Sequence, residues 1–125
     1  MNFPTDLYYT ADHEWVRMDG DIATIGVTHY AQGELGDIVF VEVETEGETL
    51  EAEEVFGTIE AVKTVSDLIL PITGEIIEMN KAIDDDPSLI NDDPFGAGWI
   101  IKVHVSNPSD VEGLMDATAY EASIG

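Results

Sequence analysis

Apolar and polar positions along this chain alternate over short distances and are interrupted often by Gly, Pro, Asn and Asp, a pattern of brief strands rather than long helices. Positions 14–25 run Glu-Trp-Val-Arg-Met-Asp-Gly-Asp-Ile-Ala-Thr-Ile. Two apolar stretches about an Asp-Gly-Asp turn predict a β-hairpin. Thr28 stands where it can cap a short helix over 29–35, limited by Gly33 and Gly36. Segment 37–43, Asp-Ile-Val-Phe-Val-Glu-Val, is rich in β-branched and aromatic residues and reads as a buried strand ending before the acidic turn at Gly47. Segments 55–60 and 65–70 are two further strands joined by Ala61-Val62-Lys63-Thr64, and after Pro71 and Gly74 positions 75–79 continue the sheet.

Beyond Asn80 the runs Asp84-Asp-Asp-Pro87 and Asn91-Asp-Asp-Pro94 read as acidic, irregular turns, and 98–105 as a last strand. Ser109 is placed to cap a C-terminal helix, with Val111, Leu114, Met115, Ala119 and Ala122 at helical spacings. Many short strands without βαβ alternation predict an all-β sandwich or barrel with small helices at the C-terminus. No repeat or linker divides the chain, so one domain is expected over 1–125, with a helical extension from about 106.

Composition changes this picture in sign rather than in class. Of 125 residues 44% are hydrophobic, enough for a core and against disorder, yet 27 Asp and Glu face 4 Lys and Arg, for a net charge of −23. Phosphate backbones and anionic lipid repel such a polyanion, and four scattered cations build no basic stripe; nucleic acid and membrane are excluded as partners. No apolar run approaches a membrane span and no basic leader precedes an apolar stretch, so a cytoplasmic protein is expected. The absence of cysteine excludes disulfides, thiolate zinc sites and a cysteine nucleophile. The carboxylates are spread along the chain, as on a solvated surface, and fit a halophilic origin: at about 1 M salt the Debye length falls to roughly 3 Å and screens the self-repulsion.

Lys63 is one of three lysines and falls between two strand-like segments, where a tight hairpin tip exposes its side chain. Around it stand, in order, Tyr9-Thr-Ala-Asp-His-Glu-Trp15, Thr24-Ile-Gly-Val-Thr-His-Tyr-Ala-Gln32, Leu35-Gly-Asp-Ile-Val-Phe-Val41, Phe56-Gly-Thr-Ile-Glu-Ala-Val-Lys63, Pro71-Ile-Thr-Gly-Glu75 and Asp93-Pro-Phe-Gly-Ala-Gly-Trp-Ile100. This series resembles the glycine cleavage H-protein family of lipoyl carriers, and the resemblance covers about three quarters of the chain.

The resemblance implies a mainly β, lipoyl/biotinyl-type barrel-sandwich hybrid of short antiparallel strands. It implies lipoate in amide linkage to Lys63, with a lipoylating enzyme reading Glu60 three residues before and Gly74 eleven residues after. It implies three partners for the arm: a pyridoxal-phosphate glycine decarboxylase (P protein), a tetrahydrofolate-dependent aminomethyltransferase (T protein) and dihydrolipoamide dehydrogenase (L protein). The carrier itself is expected to catalyse nothing and to act as a monomer. A protective cleft is implied as well, with Glu14, Asp67 and Asp12 at its polar end facing the ammonium of the loaded arm. Burying about four methylenes of that arm contributes about 3 kcal/mol before ordering costs, against about 0–1 kcal/mol for an exposed ion pair, so apolar contact is expected to hold it. His13 and Trp15 read as structural, with Trp15 on a core face. The chain departs from the family pattern at Glu44, where Pro is common, at Ala61, where many members have Ser, and at Glu34, where some have His.

Other classes fit less well. A biotin carrier shares the fold but flanks its lysine with Met, whereas Val62 and Thr64 stand here. A Schiff-base enzyme wants a desolvated lysine in a polar pocket. The acidic runs lack the ordered twelve-residue calcium-loop pattern, and no specific metal site is expected. An acidic structural protein and a lipoate donor serving other lipoyl-dependent complexes remain as alternatives.

Overall fold

The structure, a computed structural model, describes residues 3–124. In chain order it has β1 (Tyr8–Tyr9), β2 (Glu14–Asp19), β3 (Ile22–Val27), α1 (His29–Leu35), β4 (Ile38–Glu42), β5 (Thr49–Leu50), β6 (Val55–Ala61), β7 (Val65–Ile69) and β8 (Gly74–Met79). Then follow α2 (Lys81–Asp85), α3 (Leu89–Asp92), β9 (Ile101–Val105), a 3-10 helix (Pro108–Gly113) and α4 (Ala117–Ile124). The strands form a six-stranded sheet, β1-β2-β3-β9-β8-β5, and a three-stranded sheet, β4-β6-β7, with every pairing antiparallel. This is the mainly β fold with a few small helices that the alternating pattern predicts.

Alternation explains how the two sheets meet. Val16, Ala23, Ile25, Ile76, Ile101 and Val103 from the larger sheet and Val41, Ile59 and Leu68 from the smaller belong to one buried cluster. A second cluster, Leu7, Tyr9, Trp15, Ala117 and Tyr120, ties the two ends of the chain together. Trp15 lies wholly in this core, with its indole N–H donating to the Pro94 carbonyl at 2.9 Å. The β2–β3 hairpin and the helix over 29–35 form as the sequence predicts, with the Thr28 hydroxyl accepting from Ala31 N at 3.1 Å and Gly36 closing the helix at φ 83°.

Three local expectations are corrected. The stretch after Asn80 is irregular only in part, at 86–88 and from 93 onward, and carries two short helices: Asn80 caps α2 through Oδ1 and holds the carbonyls of Ala97 and Trp99 through Nδ2, while Ile83 and Ile90 plug α2 and α3 into the core. Helices of five and four residues are too short to show a 3.6-residue period. The last strand starts at Ile101 rather than at 98, because Gly96 and Gly98 both donate to the Asp93 carbonyl in a tight turn. The C-terminal helix is also divided. Asn107, not Ser109, caps the 3-10 helix, and the chain extends at Met115, which exchanges both backbone hydrogen bonds with Tyr9 at 2.8 and 2.9 Å. The helix resumes at Ala117 and buries Ala117 and Tyr120 while Ala119 and Ala122 are exposed. The edge of β1 needed a backbone partner, and that requirement outweighed helix continuity.

Candidate functional site

The β6–β7 hairpin carries Lys63 at its tip. Ala61 N–H donates to the Thr64 carbonyl at 2.7 Å, closing the turn, and Val62 N–H donates to the Asp37 carbonyl at 3.0 Å, pinning the tip to the junction of α1 and β4. The Lys63 side chain is exposed and lies across Gly36, where an added Cβ would stand 3.5 Å from its Cε. Among the described residues the ion pairs are Lys81–Glu46 and His104–Asp21, so no carboxylate holds Lys63 down.

Behind the tip runs a cleft of about 170 Å³ between α1 and β7. Val27, Ala31, Leu35, Ile59 and Leu68 supply apolar wall, and Asp12, Glu14, Glu34, Ser66 and Asp67 the polar lining. Asp12, Glu14 and Asp67, scattered over 56 positions of the sequence, thus share one cavity. Their environments differ. Glu14 is 2% exposed, whereas Asp12 and Asp67 are open to solvent. Glu14 Oε2 accepts the Ile69 N–H at 3.0 Å, bridging from β2 to β7, and its buried Oε1 has no hydrogen-bond partner. Burial, and then the like charges of Asp12 and Glu53, push the Glu14 carboxyl well above the ordinary carboxylate range, against the opposing effect of the Ile69 hydrogen bond.

A hydrogen-bond chain sets the rear wall. His13, in the left-handed region at φ 65°, meets the Tyr120 hydroxyl through Nδ1 at 2.9 Å, and that hydroxyl meets Thr28 Oγ1 at 2.8 Å. Thr28 also caps α1, so α4 fixes both the turn before Glu14 and the helix that forms one cleft wall. Tyr120 stacks on Tyr9, with ring centroids 4.8 Å apart and planes at 7°. Burial raises the Tyr120 hydroxyl above its ordinary value, which keeps it a donor.

The other two expected residues lie elsewhere. Glu60 is exposed on β6, three residues before Lys63, with Phe40 and Val65 as its cross-strand neighbours. Gly74 is buried on β8, in the other sheet, between β5 and β9. A Cβ there would fall 2.6 Å from Val103 Cγ1 and collide with the His104 carbonyl, so backbone packing alone demands glycine. Sequence reasoning missed Ser66 and the apolar walls. The spacing of Ala31, Glu34 and Leu35 along α1 puts them on one face and was the available signal.

Comparison with known proteins finds relatives that match nearly the whole chain. A family model described as Glycine cleavage H-protein matches residues 7–125. The chain is 56% identical over 124 residues to a glycine cleavage system H protein of Bacteroides fragilis and 58% identical to that of Bacteroides thetaiotaomicron, covering 99% of this chain and 98% of each relative. It is also similar to the crystal structure of a glycine cleavage system H protein from Mycobacterium marinum, at a TM-score of 0.90 and 43% identity over 98% of this chain and 99% of that one. With the family model spanning nearly the whole sequence and the fold shared end to end, the chain belongs to the glycine cleavage H-protein family.

Proposed function

We propose that this chain is the lipoyl-bearing carrier of glycine cleavage, with lipoate in amide linkage to Lys63 Nζ. The observation that carries this reading is an exposed lysine, without an ion pair among the described residues, at a hydrogen-bonded hairpin tip beside a cleft that ends in a buried carboxyl oxygen without a partner among those residues. These residues fit the group: the lysine is accessible for acylation, and the cleft has apolar walls for a hydrocarbon arm and one unsatisfied acceptor for a cationic end. Bound there, lipoate supplies a reducible disulfide and a thiol that takes the aminomethyl group of glycine. The chain's own residues hold and shield that end. Val27, Ala31, Leu35, Ile59 and Leu68 bury the arm and exclude water, and Glu14 Oε1 accepts from the ammonium, with Asp12 and Asp67 as outer acceptors.

The proposal includes the clients: the pyridoxal-phosphate glycine decarboxylase, the tetrahydrofolate-dependent aminomethyltransferase and dihydrolipoamide dehydrogenase, with a lipoylating enzyme reading Glu60. The chain is then a carrier and not an enzyme, a single domain over 1–125 with its helical extension from about 106, monomeric and cytoplasmic, with an acidic surface suited to high salt. Gly74 belongs to the recognition set only indirectly, by keeping β8 against β9. Among the described residues no helix is long and apolar enough to cross a membrane.

Intact mass of protein purified from its own cells tests the reading. The lipoyl increment is expected on the wild type and is expected to vanish in Lys63→Arg; an unmodified wild type that a lipoylating strain also leaves unmodified refutes it. Loading with glycine and decarboxylase then tests the cleft. The pair Glu14→Ala and Asp67→Ala is expected to release formaldehyde faster, and an unchanged rate removes their role.

A further inference from the structure

Among the described residues six large apolar side chains are 40% or more exposed, and four of them, Val39 (46%), Phe40 (46%), Val62 (75%) and Val65 (63%), belong to the Lys63 tip and the strand ends beside it. A regular strand would turn only one of two consecutive residues outward. In β4 the register shifts between Ile38 and Phe40, so Ile38 and Val41 are buried while Val39 and Phe40 both face solvent. Bulges of this kind re-aim side chains. Across the sheet Phe40 stands opposite Glu60 and Glu60 opposite Val65, one row on the outer face, away from the buried Val41 and Ile59. The next row on that face is Glu42, Thr58 and Asp67, the last on the edge strand β7, where it borders both this face and the cleft. The result is an apolar patch with a carboxylate at its centre and two more at its border, an unusual arrangement for a surface with nothing to meet.

We propose that this outer face is the docking surface for the enzyme that acylates Lys63, with Phe40 and Val65 as apolar anchors on either side of Glu60. The inference rests on the carrier reading above and extends it from the lysine to the partner. Reach selects the occupant. Lysine Nζ lies five bonds from its backbone, so an enzyme forming the amide must bring its own atoms against the residues beside Lys63. An enzyme acting on the ring at the end of the attached eight-carbon chain works from further away. Charge selects its chemistry: Glu42, Glu60 and Asp67 call for a partner surface with basic side chains around an apolar ridge. In the step served, neutral Nζ attacks the carboxyl carbon of lipoyl-adenylate held by that enzyme. The C–N bond forms, the bond to AMP breaks, and the amine proton leaves to solvent, with no change of redox state.

The test uses the full-length, unacylated chain with a purified ATP-dependent lipoate ligase, lipoate and ATP, reading acylation by intact mass and ligase binding by calorimetry. The double variant Phe40→Ser with Val65→Ser is expected to raise KM for the acceptor protein about tenfold and Kd in parallel, with kcat within about twofold. Val65→Ser alone, at a site already mostly exposed, is expected to raise KM about threefold. Ile77→Ser, on the exposed face of the other sheet, is expected to match the wild type. The double variant, once acylated, is expected to be reduced by dihydrolipoamide dehydrogenase at the wild-type rate. A KM for the double variant within about twofold of wild type overturns the proposal, as does an equal rise in Ile77→Ser or an equal loss in the dehydrogenase assay. Self-association of the wild type that the double variant abolishes reassigns the patch to a second copy and overturns it too. A wild-type chain that accepts no acyl group overturns the carrier reading itself and the docking surface with it.

Discussion

Glu14→Gln isolates what the buried carboxyl does to the molecule. Gln keeps the size and the oxygen that accepts from Ile69 N–H, and it replaces the unpartnered Oε1 with an amide nitrogen. In the wild type burial raises the folded carboxyl well above the ordinary range, while in the unfolded chain it titrates near about 4.3. The native state therefore binds more protons. Glu14's favourable contribution is fully present below the unfolded value and is lost as pH rises toward the folded one, at up to about 1.4 kcal/mol per pH unit. Gln does not titrate, and the other carboxylates are common to both proteins, so the difference in stability between variant and wild type follows Glu14.

Urea unfolding at a series of pH values from 5 to 8, at fixed molar salt, is the assay. Relative to the wild type, Glu14→Gln is expected to gain stability from the acid toward the neutral end, with a slope of no more than about 1.4 kcal/mol per pH unit. The new amide N–H, buried without an acceptor, costs about 1–3 kcal/mol at every pH. The slope of the difference and not its offset is thus the readout. A difference that is flat with pH, or that favours the wild type increasingly as pH rises, refutes the reasoning. A cation seated on Oε1 acts in the opposite direction, since it favours the ionised carboxylate, so the site that destabilises the empty protein is the one that gains most from a docked ammonium.

Three further outcomes are expected. Gly74→Ala forces a Cβ against the His104 carbonyl and Val103, and it is expected to cost about 1–3 kcal/mol in urea unfolding while leaving ligase Kd unchanged for the folded fraction; a raised Kd without lost stability would assign Gly74 to direct recognition. Tyr120→Phe keeps the stack on Tyr9 but strips His13 and Thr28 of their shared partner, at about 1–3 kcal/mol. Amide exchange in α1 is expected to accelerate, and protection at wild-type level would deny that α4 supports the cleft wall. Raising salt from about 0.1 to 1 M shortens the Debye length from about 10 to 3 Å, so Tm is expected to rise; a flat or falling Tm counts against an acidic surface adapted to salt.

Local signals of two kinds were readable directly. Turn chemistry located the β2–β3 hairpin and the helix capped by Thr28, because Gly, Asp and Thr act on their immediate neighbours. The meeting of two β-rich segments at Lys63 located the tip. Features decided by distant partners were not readable. Met115 leaves the helical pattern because Tyr9 needs a strand partner more than a hundred residues away in sequence. Asn80 reads as the start of a loop until the carbonyls of Ala97 and Trp99 are brought within reach of its amide. Gly74 is required by a neighbouring strand, a demand that its spacing from Lys63 does not reveal.

The cleft shows most sharply where a sequence stops being informative. Glu14 is one of 27 acidic residues, and nothing in its chemistry separates it from the rest. The separation arises from its address: the first position of β2, facing the unpaired edge of β7, with Trp15 turned into the opposite core. That edge leaves the Ile69 N–H in need of an acceptor, and one carboxylate oxygen serves it while the second has none. The fold thus uses a single backbone hydrogen bond to hold an ionisable group where water does not reach, and burial there favours its neutral form. Asp12 and Asp67, lining the same cleft but open to solvent, do not share that burden, and their charges act on Glu14 or on an incoming cation from a wetter, more strongly screened position. A cation entering the cleft therefore meets a graded series of carboxylates, solvated at the mouth and desolvated at the end, and its attraction strengthens as water is left behind.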